Sequence, residues 1–470
     1  MLEASNQHYD IQIGMYTATK NVAIGGKYDR NNAAYLVSDK ISEFEIHESL
    51  LCPYFTGHFT YNDTMFSSNL TEMLNAPFLY ANITFAMVDS SPQNGRPEND
   101  NYLEAETFSE TVVIDSITST ANEGSMEKSF TFHFSSIDSL NFDATLEPYS
   151  TFNMKDGLED LDKVLKAVFA GANLGEKLDL KVNVPTMKIP FITSDNSTLM
   201  TSLDYIYRRS FDCNILEDNS KNMFFKIIYD HVDRKYKVWR FDSIGENPDN
   251  ELPRPNRINS FYIKNKRFVD CDMSEGGDSV AFDTGSGRNI AVPMYSGNAF
   301  ELMQMLADKK YYGYDYVTNN FDDNTKEVKD MYKNNLHEHW QPDKYLLKTT
   351  LLPNSVIDKS LKFNNSFSRF RENGSVYDIY NEMIFASAYL HVRADGVISR
   401  KAGDPIYVNF LNSKNTSYDR LRGDYFITDI RNRYVRNNPS NNGFTSFNSY
   451  MECVSPYMMT TSNAQDMQVF

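Results

Sequence analysis

In the stretch "YFTGHFTY" (Tyr54–Tyr61), Phe55, Phe59 and Tyr61 fall on one side with Gly57 between them. Tyr54, Thr56, His58 and Thr60 fall on the other. Successive side chains of an extended chain point to opposite faces, so a period of two means strands with one buried face and one wet face. The same alternation runs through "YDIQIGMY" (Tyr9–Tyr16), "SEFEIHES" (Ser42–Ser49) and "FLYANITFAMV" (Phe78–Val88). "ETVVIDSITS", the turn "TANEGS" and "FTFHFSS" read as a hairpin whose second strand puts Phe130, Phe132 and Phe134 on one face. Residues 1–148 are therefore expected to form a first all-β unit, a barrel or a sandwich.

The period then changes. In "GLEDLDKVLKAVFAG", Leu158, Leu161, Leu165 and Val168 recur at helical spacing, and Gly171 is placed for a C-cap. "TSDNSTLMTSLDYIYRRS" offers Ser, Asp and Asn caps ahead of Leu199, Leu203 and Ile206, and "MFFKIIYDHVDRKYKVWRF" reads as two strands around a short polar turn. Residues 149–258 are thus an α+β middle domain, with Pro and Asn from Asn250 to Asn259 marking a connection. Residues 259–384 hold connecting strands, a helix "NAFELMQMLADKKYY" from Asn298, a polar excursion over Tyr312–Gln341 and a helix around Val376–Phe385. In 385–457 a second β unit is expected: "YLHVRA" turning at Asp395-Gly396, "PIYVNF", then "GDYFITDIRNRYV" through "RNNPSNNG" into "FTSFNSYMECV". Residues 458–470 are a tail. "VVIDSI" (Val112–Ile117) and "YFITDI" (Tyr425–Ile430) are each followed by a polar Gly-bearing turn and a long alternating strand. The fold class is mainly β, with two related β-barrel units around an α+β insertion.

Composition supports a chain with a large core. The 470 residues exceed what one ordinary core serves, and length alone suggests about three domains. Phe (32) and Tyr (30) are abundant, while 21 Gly and 16 Pro are too few for a linker-rich chain. A net charge of −17 argues against phosphate neutralisation, which needs clustered Lys and Arg. Such a surface lets nucleic acid pass without holding it. Cys52, Cys213, Cys271 and Cys453 form no CxxC pair and read as buried free thiols of a reducing compartment. No apolar run reaches the roughly 20 residues that span a bilayer. "MLEASNQHYD" has no basic or apolar leader segment, so synthesis in the cytoplasm is expected.

Catalytic signals are few. Asp283-Thr284-Gly285-Ser286 resembles the active-site loop of pepsin-like aspartic proteases, but that chemistry needs two facing carboxylates sharing a proton. A second DTG or DSG is missing, and the stretch also reads as a Gly-rich turn after a strand. "LHEHWQPD" supplies His337, Glu338, His339 and Asp343 without the HExxH spacing of zincins. The other histidines (His8, His47, His58, His133, His231, His391) stand isolated, and the acidic runs lack EF-hand spacing. Neither catalytic, cofactor-binding nor metal-binding residues are assigned, and no cofactor is expected.

Two stretches carry a family resemblance. "FTFHFSSIDSLNFDATLEPYSTFNMKDGLEDLDKVLKAVF" and "YLHVRADGVISRKAGDPIYVNF" with "YFITDIRNRYV" resemble, in that order along the chain, the central baseplate hub of contractile-tailed bacteriophages. That family is related to the hub part of type VI secretion spike proteins. The resemblance implies two tube-type barrels per subunit and a homotrimer whose six barrels form a ring. That ring would join a threefold spike below to a sixfold tail tube, or its initiator, above. It also implies contact with a tape measure protein, DNA passing through without specific binding, no membrane insertion, and a place in the virion after assembly in the host cytoplasm. A wall of this kind needs no active site. This chain departs from the family by extra length between Tyr312 and Tyr345. Two other readings stay open: an aspartic-protease-like enzyme using Asp283, and a surface protein whose tyrosines engage glycans or a receptor.

Overall fold

The alternating runs fold as the strands their period demands. A computed structural model of the chain describes residues 7–17, 34–36, 40–63, 78–89, 107–121, 128–151, 157–181, 188–193, 196–210, 225–231, 233–240, 268–273, 279–283, 288–296, 309–315, 320–322, 348–354, 389–396, 398, 400–412, 423–436 and 445–454. The first strands are β1 (Gln7–Thr17), β2 (Ala34–Leu36), β3 (Ile41–Ser49), β4 (Cys52–Asp63), β5 (Leu79–Asp89), β6 (Thr107–Ala121) and β7 (Lys128–Ser136). They lie in the order β2-β1-β5-β6-β7-β4-β3, every neighbour antiparallel. Phe55, Phe59 and Tyr61 are buried and Tyr54, Thr56, His58 and Thr60 are half-buried, as the period requires. Phe59 sits opposite Phe132 with ring centroids 4.8 Å apart. Gly57 sits opposite Phe134, where a Cβ would collide with the Phe134 ring and the Glu45 carbonyl oxygen, so the position accepts glycine alone.

The middle region begins with α1 (Ser139–Asp143) and β8 (Glu159–Asp160), followed by α2 (Leu161–Gly171). Leu161, Val164, Leu165, Val168 and Phe169 form the buried stripe of α2. Its end differs from the expected glycine cap. Gly171 is still helical, and the left-handed residue is Asn173 (φ 58°). The Asn173 and Leu174 amides return to the Ala170 and Phe169 carbonyls at 2.9 and 2.8 Å. That pair of bonds closes a helix end around an Asn, whose short polar side chain tolerates the left-handed region. After β9 (Leu178–Asp179) and β10 (Lys188–Ile189), α3 (Leu199–Ser210) is capped by Thr198, whose Oγ1 accepts from the Thr201 amide at 3.3 Å. The cap is thus one residue beyond the Ser, Asp and Asn candidates. β11 (Phe225–Asp230) and β12 (Lys235–Arg240) form the expected hairpin, with β9 parallel to β12.

The remaining strands are β13 (Phe268–Met273), β14 (Ser279–Asp283), β15 (Arg288–Ser296), β16 (Lys309–Asp315), β17 (Asn320–Asp322), β18 (Lys348–Asn354), β19 (Tyr389–Asp395), β20 (Pro405–Asn412), β21 (Gly423–Arg436) and β22 (Thr445–Val454). The "KKYY" end of the segment read as a helix from Asn298 is strand instead. β16 pairs with β17 and β18 in a three-stranded sheet, of which β17 lies within the stretch read as a polar excursion, β16 at its start and β18 beyond it. The rest of that helix and the one at Val376–Phe385 lie outside the described residues. β19 and β20 do not pair with each other: β19 lies between β15 and β22, and β20 between β13 and β21.

β3 pairs with β21, so the two strand sets are one 14-stranded sheet. In the second set β14-β13-β20-β21-β22-β19-β15 repeats, rank for rank, the spatial order of the first seven strands. There the ladders form a circuit, because β14 also pairs with β15. The β13–β20 neighbours are parallel where β1–β5 are antiparallel. Buried apolar side chains from Ile11 to Val454 make one contiguous cluster under the sheet and the middle region.

Candidate functional site

The junction of the two strand sets builds a face of alternating opposite charges. Opposite residues across β3 and β21 are Glu45 and Arg433, His47 and Arg431, Ser49 and Asp429. Alternation buries Phe44, Ile46, Ile430 and Tyr434 and turns Glu43, Glu45, His47, Asp429, Arg431 and Arg433 outward. His47 Nε2 is 2.8 Å from both oxygens of Asp429. Arg433 Nε donates to Glu43 Oε1 at 2.6 Å and lies 3.8 Å from Glu45 Oε2. His58 Nε2 is 3.4 Å from Glu43, and the His58 and His133 rings are 5.7 Å apart on neighbouring strands. At the far side His391 Nδ1 is 3.8 Å from Glu452. Ligand atoms of Glu43, Glu45 and His58 lie within 4.8 Å of one another, close enough to share a metal ion, but the Arg433 guanidinium already supplies the cluster's positive charge. Ion pairs near a protein surface contribute about 0–1 kcal/mol each, so this face adds little to stability.

Beneath the sheet a second polar group ties the three regions together. Asp138, at the start of α1, accepts Lys177 Nζ on both oxygens at 2.7 Å and the Tyr236 hydroxyl at 2.9 Å. Tyr229 donates to Glu110 of β6 at 2.9 Å. Asp230, at the end of β11, accepts Lys237 at 3.1 Å and also Lys401 from the segment before β20. Burial works to raise the Asp230 carboxyl, and Lys401 with Lys237 overrides it, holding the group well below the usual carboxylate range. Burial raises Glu110 and the phenols of Tyr207, Tyr229 and Tyr236. Trp239 Nε1 donates to the Gly403 carbonyl at 2.9 Å, and its ring is 5.2 Å from Phe426. Gly403 has a φ of 86° and lies against that indole, so glycine is required twice over.

The histidines read as isolated are not isolated in space. His47 and His231 each face a carboxylate, His58 lies beside both Glu43 and His133, and His391 lies near Glu452. His47 and Asp429 stand 382 residues apart, so only the β3–β21 register could have revealed the pair. His8 pairs with Val88 in the β1–β5 ladder. Asp283 is the last residue of β14 and pairs with Arg288 across a hairpin, while Thr284–Ser286 lie outside the described residues. His337, Glu338, His339 and Asp343 also lie outside them, as does Cys213. Cys453 is buried and Cys52 half-buried, both free, and burial raises both thiols. Cys271 lies in β13. Among the described residues no helix is long and apolar enough to cross a membrane.

No protein-family model matches the chain, and no curated protein matches it. Solved structures do. A tail protein from Neisseria meningitidis MC58 aligns at 9% identity over 96% of this chain and 98% of that one, with a TM-score of 0.49. A chain of the Francisella PdpA–VgrG complex aligns at 13% identity over 97% of this chain and 60% of that one, also at 0.49. The 43 kDa tail protein of prophage MuSo2 from Shewanella oneidensis aligns at 10% identity over 96% of this chain and all of that one (100%), at 0.43. Two of these three are named as tail proteins.

Proposed function

We propose that the chain is a structural hub of a phage tail baseplate, a wall-forming subunit rather than an enzyme. One observation carries this reading. Two seven-strand sets of identical strand order are bonded into one sheet where β3 pairs with β21. A subunit that repeats one unit twice in a row doubles the symmetry of whatever it assembles into. Three copies would then make a six-part ring, fit to join a threefold spike to a sixfold tube. In this reading residues 1–148 carry the first tube-type unit, and 385–457, expected to hold the second, do so together with β13–β15 from the stretch 259–384 read as connecting; 149–258 is the middle domain and 458–470 is a tail. The net charge of −17 keeps DNA sliding through the ring from being held. The ring's neighbours are the spike, the tube or its initiator, and the tape measure protein. It assembles in the host cytoplasm and ends in the virion. Sedimentation and negative-stain imaging of the purified protein test the reading. A trimer with a central hole is expected, and a protein that stays monomeric even with a spike partner present would overturn it.

A further inference from the structure

The two strand sets share an order but not all their neighbours. Along β21, the edge away from β22 changes partner at a bulge: Pro405–Val408 of β20 pair with Gly423–Phe426, and β3 pairs with Asp429–Val435. Thr428 is the bulged residue, since Ile427 and Asp429 face consecutive residues of β22. β6 begins the same way, with Thr107–Val113 paired to β5. It bulges at Asp115, the same place in its motif, since Ile114 and Ser116 face consecutive residues of β7. Past that bulge no described strand takes the position that β3 takes on β21. Exposure agrees with the pairing. Ile430 and Asn432 are 0% and 1% exposed, whereas their counterparts Ile117 and Ser119 are half-buried and exposed.

The strand that ranks with β3 in the second set is β15, next to β19 as β3 is next to β4. β14 pairs only with Arg288–Ala291, so Val292–Ser296 run beyond it with no described partner on that edge. We propose that Ser116–Ala121 of β6 receive β15 of a second copy of this chain as an added antiparallel strand. The proposal rests on the hub reading and specifies which edges meet. Within one copy β3 lies on β21; between copies β15 lies on β6. The two junctions then alternate around the ring and are of one kind, and neither β6 nor β15 keeps its unpaired half-edge.

The register follows from the ladders. Ile46–Gly57–Phe134–Ile114 is one row of paired residues across the first set, and Tyr295–Leu390–Cys453–Ile427 is the same row in the second. His47 opposite Arg431 therefore becomes Ser296 opposite Thr118 of the neighbouring copy. Directly opposed antiparallel residues lie within disulfide reach, at about 4.5–5.5 Å between Cα atoms. In the full-length chain, Thr118→Cys with Ser296→Cys should give covalent dimers and trimers on mild oxidation. Either single variant should not, which controls for the four native cysteines. An assembled double variant that does not cross-link would overturn the edge assignment and leave the hub reading standing. If the double variant fails to assemble, Ile117→Lys decides. A folded subunit by circular dichroism that has lost its oligomer supports the edge, and unchanged assembly overturns it. A wild-type chain that is monomeric in sedimentation removes the hub reading and this proposal together.

Discussion

The hairpins β6–β7 and β21–β22 have one geometry and two interiors. Each bulges at the fourth residue of its matched motif, Asp115 in "VVIDSI" and Thr428 in "YFITDI". Each bulged side chain bonds across to the partner strand, Asp115 accepting from Ser135 Oγ and Thr428 Oγ1 donating to the Glu452 carbonyl. Inside, however, Phe132 faces Ile117 where Met451 faces Ile430, and Phe130 faces Ser119 where Ser449 faces Asn432. The first set packs its interior with phenylalanine rings. The second holds a buried polar chain, in which Ser449 Oγ donates to Asn432 Oδ1 at 2.6 Å and Asn432 Nδ2 donates to the Arg400 carbonyl at 3.2 Å. Small and large residues also exchange places: Gly57 opposite Phe134 corresponds to Leu390 opposite Cys453. The period and the bulge set the path of the chain, and the residues filling it are free to differ as long as each set is complementary within itself.

The largest effects should come from emptying equivalent positions. Phe132→Ala, fully buried in the ring stack against Phe59, is expected to cost about 3–5 kcal/mol, and Met451→Ala about 2–5 kcal/mol. Denaturant unfolding of both variants measures this. Were one of them nearly neutral, the two sets would not be equivalent parts of one core.

Next comes the polar tie between the segment before β20 and the middle hairpin. Asp230→Asn leaves Lys401 half-buried without its carboxylate and should cost about 3 kcal/mol. Because the folded Asp230 carboxyl is held below its ordinary value of 3.8, its contribution is present above that value. It is lost as the pH falls through the depressed folded value. The variant's thermal midpoint should accordingly converge on wild type only in strong acid, and a constant gap down to the lowest accessible pH would contradict the assignment.

A smaller effect marks the tie to the first set. His231 follows β11, its side chain 2% exposed, with Nδ1 3.0 Å from Glu48 of β3 and the Phe108 ring edge-on at 5.8 Å. Burial works to lower the imidazole, Lys401 does the same, and Glu48 with Asp230 outweighs them, so the net shift is upward from 6.5. A raised folded value means the stabilisation is complete below 6.5 and is lost as the pH rises through the folded value. His231→Gln should cost about 1–3 kcal/mol in mild acid and less above neutrality. Parallel wild-type and variant midpoints from pH 6 to 9 would show that the pair does not titrate in folding.

Much of this was readable in the residues, for physical reasons. Every strand named from its period before residue 150 is present, because a half-buried face needs no knowledge of its partner. Helices with an apolar stripe, such as α2 and α3, were equally plain. What escaped were facts set by distant parts of the chain. The bulges depend on how two strands meet, the Glu48–His231 and His47–Asp429 pairs on which strands become neighbours, and the participation of β13–β15 in the main sheet on a parallel contact with β20. "KKYY" reads as a helix end because Tyr and Lys there and in a strand look alike without the pairing to β18.

The smallest effect should come from the residue with the most suggestive motif. Asp283 lies where the second set has a hairpin and the first set has no described counterpart, since β14 pairs with β15 while β2 and β3 do not pair. It ends its strand opposite Arg288 in the β14–β15 pair. Asp-Thr-Gly is a sequence that turns after strands favour, because Asp and Gly tolerate the backbone of a reversal. Asp283→Asn keeps that turn chemistry and should change stability by less than about 0.5 kcal/mol. It should leave assembly unchanged in sedimentation. Aspartic-protease chemistry needs this carboxylate and a second one sharing its proton. Pepstatin-sensitive proteolysis by the purified chain, abolished by Asp283→Asn, would therefore restore the enzyme reading and turn the extra hairpin into the difference between the two halves that matters most.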